Sequence, residues 1–154
     1  MRLGKAADSG RGAAVKVLAA DLGSKNVGLA VCDELQMTVS PAGTVVRTSN
    51  KALALAIARE AARRGATEIV VGHPLNMDGT AGRAAKDAEK IAALVAECCA
   101  CRVTLWDERL SSWEAEHLLA EAGASRRRRR EKIHEASAAV ILRSYIDAKC
   151  NCSG

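Results

Sequence analysis

Asp21 and the pair Asp107-Glu108 are the residues of this sequence whose types and places best suit chemistry. Each follows directly on a strand-like run, Val15–Ala20 (apolar apart from Lys16) before Asp21 and Arg102–Trp106 before Asp107. An acid at the end of a buried strand costs several kcal/mol unless it is paired or holds a cation. Taken alone, Asp21 reads equally well as the cap of a turn. Gly72-His73-Pro74, after the run Glu68–Gly72, is a third point of the same kind. Sites of open α/β sheets gather at the carboxyl ends of neighbouring parallel strands. If these three strands are neighbours, Asp21 and Glu108 converge. Hard divalent cations take oxygen ligands, usually one or two carboxylates completed by water and phosphate oxygens. Such cations activate a water and stabilise the leaving oxygen of a phosphodiester. The chemistry indicated is phosphodiester hydrolysis.

The elements that must position these acids follow from pattern. Val15–Ala20 and Val27–Cys32 are apolar runs of the kind buried in a sheet, joined by a turn containing Gly23 and Ser24. Gly28 inside the second run marks close approach of another backbone. Ala42–Arg47 is a third strand. Ser49 or Asn50 caps a helix over Lys51–Arg64, with Leu53, Ile57 and Ala61 at helical spacing and Gly65 as its stop. Glu68–Gly72 is a fourth strand, running into the loop GHPLNMDGT. Thr80 caps a helix over Ala81–Cys98, and Arg102–Trp106 is a fifth strand. Ser111 and Glu114 form a capping box that opens a helix to Ala122, stopped by Gly123. Arg126–Arg130 fall in a loop before a last helix, Ile133–Ala148. The order βββαβαβαα implies a mixed sheet with helices on both faces.

The chain has 154 residues, which suits one domain: a loose tail over 1–14, a body over 15–149 and a short tail over 150–154. Hydrophobic residues reach 49% with aromatics at 2%, so the core is aliphatic. No run approaches the roughly 18 apolar residues of a membrane span, and the N-terminus lacks the apolar region of a secretory signal. The net charge of +5 favours an anionic partner, nucleic acid first. Arg126–Arg130 then read as phosphate attraction and Arg109 as a phosphate clamp beside the acids. Trp106 reads as core, while Trp113 suits core or base stacking. The six cysteines lack a clear zinc knuckle and read as reduced thiols of a cytoplasmic protein.

VLAADLGSKNVGLAVCD, VVGHPLNMDGTAG, LWDERLSSWEAEHLL and IHEASAAVILRSYID resemble, in order, the four blocks of the YqgF (RuvX-like) family. The resemblance spans nearly all of the chain after its tail. It implies an RNase H-like fold: a five-stranded mixed sheet of order 3-2-1-4-5, strand 2 antiparallel, related to the RuvC class of Holliday junction resolvases. It implies a nuclease of ribosome biogenesis acting in 5′-end maturation of pre-16S rRNA. Asp21 matches the first-strand metal-binding acid, Glu108 the acid of the DER turn, and Asp107 the acid beside it. Gly23, Gly72, Pro74, Asp78 and Gly79 match the loops that shape the site. Arg109, with Lys25 and Arg126, Arg127, Arg128, Arg129 and Arg130, matches or extends the nucleic-acid-binding set. Mg²⁺ or Mn²⁺ is the implied cofactor, held by Asp21, Glu108 and His134. The implied partners are pre-ribosomal RNA, its precursor particles or branched DNA, with no membrane, the chain acting as monomer or homodimer.

Two positions depart from the family pattern. His134 stands where the last block usually has Asp. On a helix His134, Ala138, Ile141 and Tyr145 share a face, so the imidazole points where that acid would, able to ligate a metal or move a proton. Lys25-Asn26 stands where Arg is typical. The residues leave three readings open: a metal-dependent nuclease on RNA, a junction-cleaving DNA nuclease, and a nucleic-acid-binding assembly factor without turnover. ATP binding of the sugar-kinase kind also fits DLGSKNVGLAV, but the chain lacks the second such domain those enzymes close over the nucleotide.

Overall fold

The computed structural model describes residues 15–108 and 126–152, with side chains of 126–132 and 150–152 left aside. The expected tail over 1–14, Arg109, Trp113, and the capping box with its helix to Ala122 lie outside the described residues. The elements are β1 (Val17–Leu22), β2 (Asn26–Cys32), β3 (Val39–Val46), α1 (Asn50–Arg64), β4 (Glu68–His73), α2 (Arg83–Cys98), β5 (Arg102–Asp107) and α3 (Arg126–Cys152). The sheet has five strands in the order β3-β2-β1-β4-β5. β2 is antiparallel to β1 and β3, while β1, β4 and β5 run parallel. The expected fold is therefore the observed one, and the three strands that end in the candidate site are neighbours.

Period-two alternation divides the core between two faces. Leu18 and Ala20 of β1, Val27 and Leu29 of β2, Ile69 and Val71 of β4, and Val103 of β5 pack against Leu53, Ile57, Ile91 and Val95 of α1 and α2. Val17, Ala19, Ala30, Cys32 and Val70 take the opposite face and meet Ala138, Ile141, Leu142, Tyr145 and Ile146 of α3. Asp21 shares the parity of Val17 and Ala19, so it points to the α3 face.

Local chemistry sets the ends of α1 as expected. The Ser49 hydroxyl accepts from Ala52 N at 3.1 Å, and Gly65 closes the helix in the left-handed region at φ 74°. Two expectations are corrected. Thr80 does not cap α2, which starts later at Arg83 behind Gly82 and without a side-chain cap. Thr80 instead serves the loop: its hydroxyl and amide bond Asp78 Oδ1 at 2.7 and 3.0 Å, and it accepts from Asn76 Nδ2 at 2.9 Å. Arg126–Arg130 do not form a loop either. They make the first turns of α3, which is longer at both ends than periodicity suggested. Arginine is a good helix former, and continuation of a packed helix outweighs the repulsion of a like-charge run.

The seat of α3 is set at two points. Near its start, Gly28 is the cross-strand partner of Asp21, on the same face. A Cβ built on Gly28 would lie 2.0 Å from the carbonyl carbon of His134 and 2.4 Å from Glu135 N, both backbone atoms. The missing side chain is what lets the helix backbone rest on the sheet. Eleven residues after His134, hence on the same face, the Tyr145 hydroxyl donates to Glu68, a carboxylate only 5% exposed. Lys149 Nζ reaches the other Glu68 oxygen at 3.3 Å and lies over the Tyr145 ring. Trp106 packs edge-on against Tyr145 at 5.3 Å and donates Nε1–H to Ser144 at 3.0 Å, the core role expected of it. Burial, then the bond to Glu68, pushes the Tyr145 phenol up to about 12, so it remains the donor.

Gly28→Ala is expected to lower stability by about 1–3 kcal/mol or more, because helix or sheet backbone must yield. Tyr145→Phe is expected to cost about 1–3 kcal/mol, the cost of a buried carboxylate left short of one donor. Urea unfolding of both variants checks these values.

Candidate active site

The site is a row of three residues across the sheet. Gly28 lies on one side of Asp21 in the β1–β2 pairing. One step beyond the Ala20–Val71 pairing, Gly72 of β4 lies on the other. Both glycines leave room above the sheet, and different groups fill it. The α3 backbone occupies the room at Gly28. The Glu108 carboxyl occupies the room at Gly72, with Oε2 2.0 Å from where a Cβ would stand and Ile141 Cδ1 at 2.8 Å. Glu108 is held just past β5 by its amide, which donates to the His73 carbonyl at 3.2 Å.

Asp21 is 4% exposed. His134 Nδ1 stands 2.9 Å from Asp21 Oδ2. The imidazole edge with Nε2 and Cε1 rests against Gly23, where a Cβ would lie 2.6 and 2.7 Å away. The hydrogen bond to Asp21 raises the His134 pKa, against the opposing effect of its own burial. Glu108 is pushed up to about 8, first by burial, then by the charge of Asp21, a hydrogen bond shared with Asp21, and the charge of Asp107. Asp21 thus lies between His134 on one side and Glu108 on the other.

Among the described residues, Glu108 Oε2 is nevertheless buried without a hydrogen-bond partner. An orphaned carboxyl oxygen beside a second buried carboxylate is the environment a hard divalent cation relieves, so the residues fit such an ion. Among the described residues no three His, Cys, Asp or Glu side chains are grouped to hold a metal. His134 turns Nδ1 to Asp21, making it the partner of an acid.

The other expected residues are distributed as follows. Asp107 is exposed at the last position of β5. It acts on Glu108 through its charge. Pro74, Asp78 and Gly79 lie in the loop after β4, closed by Asn76 N to Thr80 O at 2.9 Å and Gly79 N to Asn76 O at 2.8 Å, with Gly79 at φ 88°. Lys25 is exposed in the β1–β2 turn. Arg126–Arg130 belong to the helix that carries His134. Cys32, Cys98, Cys99 and Cys101 are free thiols, Cys32 accepting from Val17 N inside the sheet. Sequence reasoning missed Arg47, which bonds the turn beneath the site, and the His73–Glu89 pair at 2.8 Å. Neither carries a local motif, since their partners are 24 and 16 residues away. Glu135, the residue after His134, accepts from Gly43 N at 3.2 Å.

The strand order β3-β2-β1-β4-β5, with Asp21 near the end of β1 and Glu108 just past β5, is the RNase H-like arrangement. RuvC of Thermus thermophilus bound to a Holliday junction aligns with a TM-score of 0.54 at 13% identity, over 88% of this chain and 96% of that one. The Fowlpox virus Holliday junction resolvase aligns at 0.55 and 12% identity, over 87% and 99%. At these identities the likeness is one of fold. The chain belongs to the RuvX family, described as Holliday junction resolvase, which matches residues 15–148. A relative from Myxococcus xanthus named "Putative pre-16S rRNA nuclease" is 43% identical over 87% of this chain and 89% of its own. One of the same name from Lachnospira eligens is 40% identical over 88% and 99%. Among the described residues no helix is long and apolar enough to cross a membrane.

The raised Glu108 pKa has a measurable consequence in EDTA. The folded protein binds this proton up to about pH 8 and the unfolded chain only to about 4.5. Folding therefore takes up a proton in that window, and stability falls as pH rises through it. Glu108→Gln is expected to remove this slope and to be more stable than the parent at pH 8, by up to a few kcal/mol. Thermal melts in EDTA from pH 4.5 to 8 check it, and the parent alone should gain stability when Mg²⁺ is added.

Proposed function

We propose that this protein is a metal-dependent endonuclease acting on structured nucleic acid, with pre-16S rRNA as substrate in 5′-end maturation. The observation that carries the reading is buried Asp21 beside Glu108, whose buried Oε2 has no partner among the described residues. The names of the relatives favour precursor ribosomal RNA, encountered in cytoplasmic precursor particles. The family description favours a second substrate, the four-way DNA junction.

Asp21 and Glu108 would hold Mg²⁺ or Mn²⁺. The cation supplies Lewis acidity toward the scissile phosphate and an attacking water. The residues of the chain do the rest. Asp21 and Glu108 give up their shared proton and present oxygens from adjacent strand ends. His134 fixes the orientation of Asp21 through Nδ1 and offers its remaining nitrogen for proton transfer. Lys25 and Arg126–Arg130, on the turn and helix that flank the acids, attract phosphate without reading sequence. Arg109, directly after Glu108 in the chain, adds a planar donor suited to a phosphate.

The test is cleavage of a labelled pre-16S fragment and a four-way DNA junction in Mg²⁺, Mn²⁺ and EDTA. Cleavage is expected with either metal, none in EDTA, and a loss of at least about a hundredfold in Asp21→Asn. The preferred substrate decides between RNA and DNA. Binding that survives EDTA, with no cleavage under either metal, would identify an assembly factor in place of a nuclease.

A further inference from the structure

Arg47 lies at the end of β3, away from the acids in sequence, yet its side chain is only 14% exposed. Its guanidinium reaches α2, α1 and the β1–β2 turn. Nη2 donates to both Asp87 oxygens of α2 at 2.7 Å and to Asn50 Oδ1 of α1 at 3.2 Å. Nη1 donates to the Gly23 carbonyl at 3.1 Å, and the Arg47 amide donates to the Lys25 carbonyl at 2.8 Å. The β1–β2 turn is therefore held from below at Gly23 and at Lys25. Gly23 is also the residue against which the His134 imidazole rests. Its amide is already committed to Asn26 O at 2.9 Å.

We infer that Arg47 is a positioning residue for the site: anchored on Asp87, it fixes the Gly23 peptide and thereby the ring of His134 against Asp21. The inference deepens the nuclease reading and rests on it for its catalytic consequence, though not for its geometric one. Arginine is required by shape. A planar fork reaches a carboxylate and a carbonyl at once, whereas a lysine ammonium is a point donor that serves one of them well. The anchor is fixed because Asp87 engages it with both oxygens in a half-buried place, where such pairs have defined geometry. Displacing a catalytic group by about 1 Å costs on the order of a hundredfold in rate.

The experiment compares the parent chain with Arg47→Gln, Arg47→Lys and Asp87→Asn, each confirmed folded by circular dichroism. Two readouts are taken. The first is the proton resonance of His134 Nδ1–H in the metal-free protein, shifted downfield by its bond to Asp21. The second is kcat and KM for cleavage in Mg²⁺. The expected result is loss or broadening of the resonance in Arg47→Gln, and kcat down by ten- to a hundredfold with KM changed by less than about threefold. Arg47→Lys and Asp87→Asn should fall between. An unchanged resonance, with melting temperature lowered and kcat intact, would overturn the inference and leave Arg47 a structural anchor. A raised KM that grows with salt, at constant kcat, would overturn it in favour of a phosphate contact. If the parent cleaves nothing, the nuclease reading fails by itself, and the resonance still decides the positioning role.

Discussion

The close seating of α3 on β2 at Gly28 is the constraint on which the site depends. Asp21 and Gly28 face each other across two antiparallel strands, so whatever covers Gly28 stands beside the acid. Because there is no Cβ, it is helix backbone that covers it, and the first residue delivered is His134. The same vacancy repeats at Gly72, where a carboxyl enters in place of a helix. Two glycines flanking one acid thus admit a base from one side and a second acid from the other. Larger residues there would give a better filled sheet and no site.

The arrangement is electrostatically unfavourable by itself. Two carboxyls share one low-dielectric place, one of them with an oxygen that no described residue satisfies. The molecule meets this by keeping Glu108 protonated near neutrality and by setting His134 against Asp21. Such strain persists only where the scaffold over-determines it. Here the scaffold is the parallel β1-β4-β5 register below and α3 above, the latter locked at its far end by Tyr145 and Lys149 on Glu68.

Asymmetry between the two faces of the sheet supports the same division of labour. The α1/α2 face is an uninterrupted aliphatic core of Leu, Ile, Val and Ala. The α3 face is apolar through Ala19 and Val70, then turns polar at the strand ends, where Asp21 and Glu108 appear. One face carries most of the burial and the other carries the chemistry. Arg47 joins them, since it reaches from α1 and α2 to the turn beneath His134.

The fold was largely legible in the sequence because its signals are local. Apolar runs of five to seven residues, Ser49 and Gly65 around α1, and the turn at Gly23 each act over a few neighbours. The acids were legible for the same reason: each follows its own buried strand. Gly28 announced a close approach, though not of what. Tertiary structure decided the rest. It put Asp107 at the exposed last position of β5 and Glu108, one residue past the strand, against Gly72. It drew the Arg126–Arg130 run into α3, since packing of the helix beyond outweighs local charge. It moved Thr80 from a helix cap to a loop brace, because Asp78 and Asn76 offered nearer partners. It made His134 the partner of an acid 113 residues away and tied Arg47 to Gly23 and Asp87. Residue types and short spacings record what a segment prefers, but the ionisation and orientation of a buried group depend on neighbours that only the assembled sheet and helices bring near.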